Sequence, residues 1–208
     1  NILFFTKAGR VYIKKGYNIP EAGRTARGTN LVNIIQMDNS AENQEKIAAM
    51  IGGRGEKTAN KTLNRVTDAL RNPGSTFKIV STYAPALNEK GMTLATTYED
   101  EPITYENGAP VNNAGGNFNG TTTLRTAIRN SVNTVAVQCF EDVTPKLGLK
   151  YLDNFGFTTL AHGTEADTDA NGNVYTDANL PTALGGLTYG VKNVELCAAY
   201  AAIANGGN

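Results

Sequence analysis

Residues 71–78 read Arg-Asn-Pro-Gly-Ser-Thr-Phe-Lys, and this stretch decides how the 208-residue sequence is interpreted. Apolar residues recur at helical spacing after Pro73-Gly74, with Gly91 as a stop, which predicts a helix over this segment. Because Ser75 and Lys78 are three residues apart, their side chains share one face of the helix, with Cβ atoms about 5 to 6 Å apart. The predicted apolar face of the helix consists of Phe77, Val80, Ala84 and Leu87.

This spacing is typical of a serine nucleophile with a lysine base. A serine hydroxyl becomes reactive when a base takes its proton, and lysine can serve only if burial or a nearby positive charge lowers its pKa. Gly74 removes side-chain bulk beside Ser75, and the positive end of the helix dipole helps to keep Lys78 neutral. Taken alone, Ser-x-x-Lys is also common by chance, and a helix cap followed by a solvated lysine is the ordinary alternative.

A second serine motif, Ser131-Val132-Asn133, follows at a break between two predicted helices. In an extended turn residues i and i+2 point the same way, so the Ser131 hydroxyl and the Asn133 amide can both enter one cleft. As a bare tripeptide the motif is weak, since a serine and an asparagine often serve only to satisfy the hydrogen bonds of a helix junction.

The regions around these motifs are predicted to contain a polar loop and further helices. Residues 96–120 are polar, and the acidic run Glu99-Asp100-Glu101 is interpreted as a solvated loop. Helices are predicted on both sides of a break near Ser131. Another helix begins at Thr144-Pro145, where threonine can cap and proline suits the first turn, and the last helix lies near residues 193–204.

Residues 71–78 closely resemble the active-site motif of bifunctional, class A type penicillin-binding proteins. This family combines Ser-x-x-Lys with a Ser-x-Asn-type motif and Lys-Thr-Gly. Residues 131–133 have the composition and order of the second motif. Further strings similar to the family occupy residues 48–54, 63–65, 124–130, 183–191 and 195–207.

The resemblance implies acyl transfer with a role for each site residue. Ser75 would attack the carbonyl of a peptidoglycan stem peptide ending in D-Ala-D-Ala, and Lys78 would accept its proton. Ser131 would relay a proton towards the leaving group, and Asn133 would hydrogen-bond the amide backbone of the substrate. An amine of a neighbouring strand resolves the acyl-enzyme, whereas β-lactams are trapped at the acyl stage. The resemblance also implies a location at the extracytoplasmic face of the bacterial cell membrane, in the cell wall.

The fold implied by the resemblance is α/β (mixed α+β), with helices over an antiparallel sheet, preceded by a small all-β segment. The family's third motif, Lys-Thr-Gly, is absent from these 208 residues. The nearest strings, Lys57-Thr58-Ala59 and Lys61-Thr62-Leu63, precede the nucleophile and lack the glycine. We therefore expect an incomplete transpeptidase domain that is poorly stable or inactive unless another chain supplies the missing C-terminal strands.

The amino-terminal region differs in character from the rest. Residues 2–5 and 10–13 are predicted to form two short strands of a hairpin. Residues 1–30 hold six basic residues and one acidic residue. This local basic excess is compatible with contacts to phosphate groups.

A second resemblance covers this region. Residues 2–12, 19–30 and 32–33 are similar to one blade of the DNA-wrapping C-terminal domain of the A-type polypeptide of bacterial DNA gyrase. We therefore divide the chain into a gyrase-A-like β segment at residues 1–48 and the N-terminal part of a transpeptidase domain at residues 49–208, an apparent chimera. The alternative functions are a nucleic-acid-binding module, with DNA as partner, and an inactive chimeric fragment.

Composition argues against other classes of function. Lysine plus arginine and aspartate plus glutamate both total 19, so the whole chain has no basic field to attract nucleic acid. No apolar run approaches the roughly 18 residues of a membrane span, so no membrane segment is predicted. Cys139 and Cys197 lie in apolar helical patterns and are predicted to be free, buried thiols.

No cofactor and no metal are predicted. The only histidine of the sequence, His162, argues against a histidine-based triad or metal cluster. Residues 167–173 place oxygen ligands as in the beginning of a calcium loop, but Ala178 stands where that loop needs a glutamate.

Overall fold

Helical segments and short antiparallel strands alternate along the chain. The computed structural model describes residues 65–206 and three strands at residues 2–6, 11–14 and 47–48. The chain forms two units.

The first unit consists of Asn1–Ala69 and Tyr200–Asn208. Its antiparallel sheet has the order β2-β1-β3 and is formed by β1 (Ile2–Thr6), β2 (Val11–Lys14) and β3 (Ile47–Ala48). Because β1 and β2 pair with each other, the predicted amino-terminal hairpin is confirmed. The gyrase-like strings at residues 19–30 and 32–33 lie outside the described residues.

The second unit, Leu70–Ala199, contains the segment of the predicted nucleophile. The segment changes helix type twice, from a 3₁₀-helix (Gly74–Phe77) to a π-helix (Ile79–Tyr83) and then to helix α1 (Ala84–Glu89). The predicted helical segment is present, but its apolar face is partly wrong: Phe77 and Val80 are buried, whereas Leu87 is 39% exposed. A π-helix rotates the chain less per residue than an α-helix, so positions beyond it leave the face that α-helical counting predicts.

Three helices follow at the predicted places, namely α2 (Leu124–Asn130), α3 (Asn133–Val143) and α4 (Pro145–Asn154). The Thr123 hydroxyl caps α2 by accepting a hydrogen bond from the backbone N–H of Thr126 at 3.2 Å. The Thr144 hydroxyl accepts one from the backbone N–H of Leu147 at 3.4 Å, at the start of α4. The predicted break near Ser131 is confirmed, since this residue ends α2 in a left-handed backbone conformation.

The other elements of the second unit are short. Its strands are β4 (Leu70–Arg71), β5 (Thr97–Asp100), β6 (Ile103–Thr104), β7 (Pro110–Val111), β8 (Gly120–Thr123) and β9 (Val191–Lys192). They form the antiparallel pairs β4-β9, β5-β8 and β6-β7. Two further 3₁₀-helices are Glu165–Asp167 and Leu180–Leu184. Helix α5 (Asn193–Ala204) has the predicted bounds, and the second unit includes it up to Ala199.

Two clusters of buried apolar side chains form the core of the second unit. One cluster packs α3 against the π-helix and the 3₁₀-helix Leu180–Leu184. The other surrounds Phe77, whose ring meets that of Phe157 edge-on with centroids 5.1 Å apart. Phe77 and Val80 belong to this second cluster and flank Lys78 along the chain, so their burial draws the lysine into the interior.

The two cysteines differ in environment. Cys139 is a buried free thiol, as predicted, but Cys197 is exposed. The prediction for Cys197 was wrong because residues 193–204 are apolar around most of the helix, and such a pattern does not mark which face is buried.

Within the described residues, no helix has the combination of length and apolar character needed to cross a bilayer.

Candidate active site

Lys78 is buried beside the second serine motif. The residue is 2% exposed, and its Nζ donates hydrogen bonds to the carbonyl oxygen of Ser131 at 2.6 Å and to its Oγ at 3.0 Å. A third hydrogen bond runs to Oδ1 of Asn133 at 2.5 Å. The fold thus brings together three of the four predicted site residues, although 53 residues separate Lys78 from Ser131.

Ser131 reaches the lysine through a backbone conformation that the sequence did not indicate. Its φ of 54° and ψ of 42° are left-handed, so the predicted extended turn is wrong at this residue. A positive φ at a residue other than glycine is uncommon and is often found at functional sites. The left-handed turn directs both the carbonyl oxygen and the hydroxyl of Ser131 at the same amine.

Asn133 is held from two sides by the chain after β7. Its backbone N–H donates to Oδ1 of Asn113 at 2.8 Å, and its side-chain Nδ2 donates to the carbonyl oxygen of Asn112 at 2.6 Å. With its amide nitrogen engaged there, Asn133 presents its oxygen to Lys78.

Burial lowers the pKa of Lys78 from 10.5 to about 8. Removal from water disfavours the charged ammonium, which is one of the two causes expected from the sequence. A lysine with this pKa is about one-tenth neutral at pH 7, so the base form exists at working pH.

Ser75 lies in the 3₁₀ turn that leads to Lys78 and is exposed to solvent. The backbone N–H of Lys78 donates to the carbonyl oxygen of Ser75, and the three hydrogen bonds of the lysine amine given above go to the second motif rather than to the Ser75 hydroxyl. Gly74, with φ +58°, precedes the serine, and Gly185 packs directly against Gly74. A Cβ on Gly185 would lie 2.5 Å from the backbone N and O of Gly74, so only glycine fits this contact.

The arrangement at Lys78 permits proton exchange. A neutral amine has two N–H donors and one lone pair. The carbonyl oxygen of Ser131 and Oδ1 of Asn133 can only accept, so they take the two N–H groups. The third neighbour is the Ser131 hydroxyl, which can donate to the lone pair of Lys78 or accept from its ammonium form.

Sequence reasoning missed Asp100, which lies behind this site. The residue is 1% exposed, so its interpretation as part of a solvated loop was wrong. Thr134 and Asn113 donate hydrogen bonds to its Oδ1, both at 2.6 Å. The pattern that could have indicated burial of Asp100 is the alternation of side chains along β5, where Tyr98 and Asp100 face inward and Glu99 is exposed.

The calcium-like loop forms a turn closed by its own hydrogen bonds. The Asp169 carboxylate accepts bonds from the backbone N–H groups of Asn171 and Asn173, and from the Tyr175 hydroxyl. Across the described ranges, no cluster of histidine, cysteine, aspartate or glutamate is arranged to hold a metal ion.

Comparisons with known proteins identify the family of the chain. The family model of the penicillin-binding protein transpeptidase domain matches residues 35–208. Penicillin-binding protein 4 from Bacillus subtilis is 30% identical over 163 residues, which cover 78% of this chain and 24% of that protein. Penicillin-binding protein 1F from the same organism is 32% identical over 195 residues, covering 94% of this chain and 24% of its own length. The chain therefore spans about a quarter of the length of these curated relatives.

Solved structures share the fold. Penicillin-binding protein 1A from Haemophilus influenzae aligns with a TM-score of 0.59 and 26% identity, over 76% of this chain and 21% of that one. The PonA1 protein from Mycobacterium tuberculosis, solved in complex with penicillin V, has a TM-score of 0.59 and 22% identity, over 76% of this chain and 40% of that one.

These matches confirm the predicted mixed fold of helices and antiparallel strands. The gyrase-like resemblance of residues 1–45 stays a prediction. The alignment with penicillin-binding protein 1F covers 94% of the chain and therefore includes most of these residues. The chain belongs to the penicillin-binding protein transpeptidase domain family.

Proposed function

We propose that the chain carries the acyl-transfer centre of a serine-type D-Ala-D-Ala transpeptidase that cross-links peptidoglycan. The observation that carries this proposal is the buried Lys78 amine, one turn after Ser75 and within 3.0 Å of the Ser131 hydroxyl. Membership of the transpeptidase family supports the substrate class.

In the first step Ser75 becomes acylated. Its Oγ bonds to the carbonyl carbon of the penultimate D-alanine while its proton moves to the neutral Lys78 amine. The C–N bond to the terminal D-alanine then breaks. The leaving nitrogen takes a proton from the Ser131 hydroxyl, which regains one from the Lys78 ammonium, so an ester on Ser75 and free D-alanine result.

In the second step an amine of a neighbouring stem peptide attacks the ester. Its surplus proton returns through Ser131 and Lys78 to the leaving Oγ of Ser75, which restores the enzyme. Oδ1 of Asn133 has a second lone pair besides the one that faces Lys78, and this lone pair can accept an amide N–H of the substrate.

The same chemistry accounts for β-lactams as partners. Attack by Ser75 opens the lactam ring, but the leaving nitrogen stays tethered and blocks the approach of the acceptor amine. Because peptidoglycan lies outside the cytoplasmic membrane, the proposed site of action is its extracytoplasmic face.

Exchange of the terminal D-alanine tests the proposal. A peptide ending in D-Ala-D-Ala is incubated with the chain and a heavier D-amino acid, and mass spectrometry follows the replacement of the last residue. The absence of Lys-Thr-Gly predicts a poorly stable or inactive chain, whereas the contacts of Lys78 with the second motif favour activity. On the strength of these contacts we expect exchange by the unsubstituted chain and by the control Lys90→Ala, which changes an exposed lysine, and none by Ser75→Ala. A folded chain without exchange, or equal exchange by Ser75→Ala, would contradict the proposal.

A further inference from the structure

Asp100 is a buried carboxylate whose described hydrogen-bond partners are all uncharged. It lies at the end of β5 and is 1% exposed. Besides Thr134 and Asn113 at Oδ1, its Oδ2 accepts hydrogen bonds from the backbone N–H and the Nδ2 of Asn119, both at 2.9 Å. Burial alone would raise the pKa of Asp100, but the hydrogen bonds from Thr134, Asn113 and Asn119 hold it below its ordinary value.

An ionised carboxylate fixes the orientation of the amide that it contacts. It can only accept hydrogen bonds, so the Asn113 side chain must turn its NH₂ group towards Asp100, at 2.6 Å. The Asn113 oxygen then points the other way, where it accepts from the backbone N–H of Asn133 at 2.8 Å and of Thr134 at 3.3 Å. The Asn113 NH₂ group also donates to the carbonyl oxygen of Asn117 at 3.1 Å. The Asp100 carboxylate and this carbonyl together ensure that an oxygen, and not an NH₂ group, meets the first turn of α3.

The orientation of the Asn113 side chain affects a contact of Lys78 through Asn133. Asn113 holds the backbone of Asn133, and the adjacent Asn112 carbonyl holds its Nδ2 at 2.6 Å. These two contacts leave Oδ1 of Asn133 aimed at Lys78. A flipped Asn113 would place its NH₂ group opposite the backbone N–H of Asn133, so that two donors face each other at the start of α3. This would displace Asn133 from its contacts with residues 112 and 113.

We propose that Asp100 is a positioning residue which, through the Asn113 and Asn133 amides, holds the acceptor oxygen of Asn133 against Lys78. The proposal rests on the function proposed above, and it concerns a residue whose described hydrogen bonds do not include Lys78 itself. Residues that hold metal ligands from behind commonly affect activity by about 10- to 100-fold, and we expect an effect of the same size from a residue that positions Asn133.

Asp100→Asn tests the orientation directly. The backbone N–H of Asn119 can only donate, so the single oxygen of an asparagine at position 100 stays opposite Asn119 and its NH₂ group takes the place of Oδ1. This NH₂ group meets the NH₂ group of Asn113, which favours the flip of Asn113. We expect acylation of Ser75 by benzylpenicillin to slow about 10- to 100-fold. We also expect the pKa of Lys78, measured by NMR with labelled lysine, to fall below that of the unsubstituted chain, because the ammonium loses an acceptor.

Asp167→Asn is the matched control. Asp167 is also a buried carboxylate, and it accepts hydrogen bonds from the backbone N–H groups of His162 and Thr164 and from the Thr164 hydroxyl. These partners lie outside the contacts of Lys78. The control is expected to lose stability without a change in the Lys78 pKa or in the acylation rate of the folded protein.

The exchanged pair Asp100→Asn with Asn113→Asp supplies a rescue test. In this double variant the amide at position 100 donates to a carboxylate at position 113, whose other oxygen again accepts from Asn133. We expect it to recover at least half of the loss in acylation on a logarithmic scale. If Asp100→Asn fails to fold, Asn113→Ala removes the relay at a half-buried position and should give the same fall in the Lys78 pKa.

The two readouts separate this proposal from the proposed function. An unsubstituted chain that is not acylated overturns the function, yet the pKa of Lys78 still reports on positioning. A Lys78 pKa that is unchanged in both Asp100→Asn and Asn113→Ala overturns the role of Asp100, and so does an exchanged pair no better than the single variants.

Discussion

Lys78 is subject to two opposing effects. Burial disfavours its ammonium form, whereas the oxygens of Ser131 and Asn133 within 3.0 Å favour it. Burial lowers the pKa of Lys78 to about 8. The same contacts therefore keep the amine oriented while burial keeps part of it neutral, which are the two properties that a base for Ser75 needs.

The rate of acylation should follow the deprotonation of Lys78. Between pH 7 and pH 9 the neutral fraction of a lysine with a pKa of about 8 rises about tenfold. We expect the rate constant for benzylpenicillin to rise by that factor and to level off above the pKa. Stopped acylation reactions analysed by mass spectrometry give the profile. A rate independent of pH over this range would show that Lys78 is not the base.

The Ser131 hydroxyl is expected to matter for catalysis more than for stability. Ser131→Ala removes the proton relay, and general acid–base groups contribute about 10²- to 10⁴-fold to rate. We expect a loss in this range for D-alanine exchange, with little change in the urea midpoint. Thr121→Ala, which removes an exposed hydroxyl bonded to Glu99, is the control and should retain full activity. A similar rate for the two variants would contradict the relay.

At the scale of elements, the turn that carries Ser75, the proposed nucleophile, makes a close backbone contact. The 3₁₀ turn Gly74–Phe77 and the 3₁₀-helix Leu180–Leu184 meet where Gly185 touches Gly74. Rigid support of this kind holds a reactive side chain at a fixed place.

Gly185→Ala should therefore damage both stability and acylation. The new Cβ would lie 2.5 Å from backbone atoms of Gly74, and the φ of +73° is itself unfavourable for alanine. We expect a loss of about 1–3 kcal/mol in the free energy of unfolding, and slower acylation of Ser75. Gly172→Ala is the matched control, because its φ of +84° is similar but the space around it is open. Equal losses in urea unfolding, with equal acylation rates, would show that the contact with Gly74 is unimportant.

Features that depend on residues close together in the sequence could be predicted from the sequence. Thr144 and Pro145 mark the start of α4, and the Ser75 and Lys78 spacing marks one turn, because caps and helical spacing are local properties. The proposed role of Asp100 could not be predicted. Its partner Thr134 is 34 residues away, and only the folded chain shows that the carboxylate is enclosed by donors.

At the scale of the whole molecule, the division of the chain remains a prediction. The sequence places a boundary between residues 48 and 49, whereas the transpeptidase family model begins its match at residue 35. The resemblance of the amino-terminal residues to a gyrase blade therefore needs a functional test of its own.

DNA binding is that test. If residues 1–45 act as a gyrase-like blade, the chain binds duplex DNA with an affinity that falls steeply with salt. Charge reversal at Arg24 and Arg27 should then abolish binding, as measured by fluorescence anisotropy. Absence of binding at low salt would remove the DNA-binding function.

The most direct test of the central claim is the intact mass of the chain after incubation with benzylpenicillin. We predict a single adduct with the mass of the whole antibiotic, located at Ser75 by peptide mapping and absent from Ser75→Ala. A folded chain that forms no adduct, or an adduct of equal yield on Ser75→Ala, would contradict the assignment of Ser75 as the acylated nucleophile.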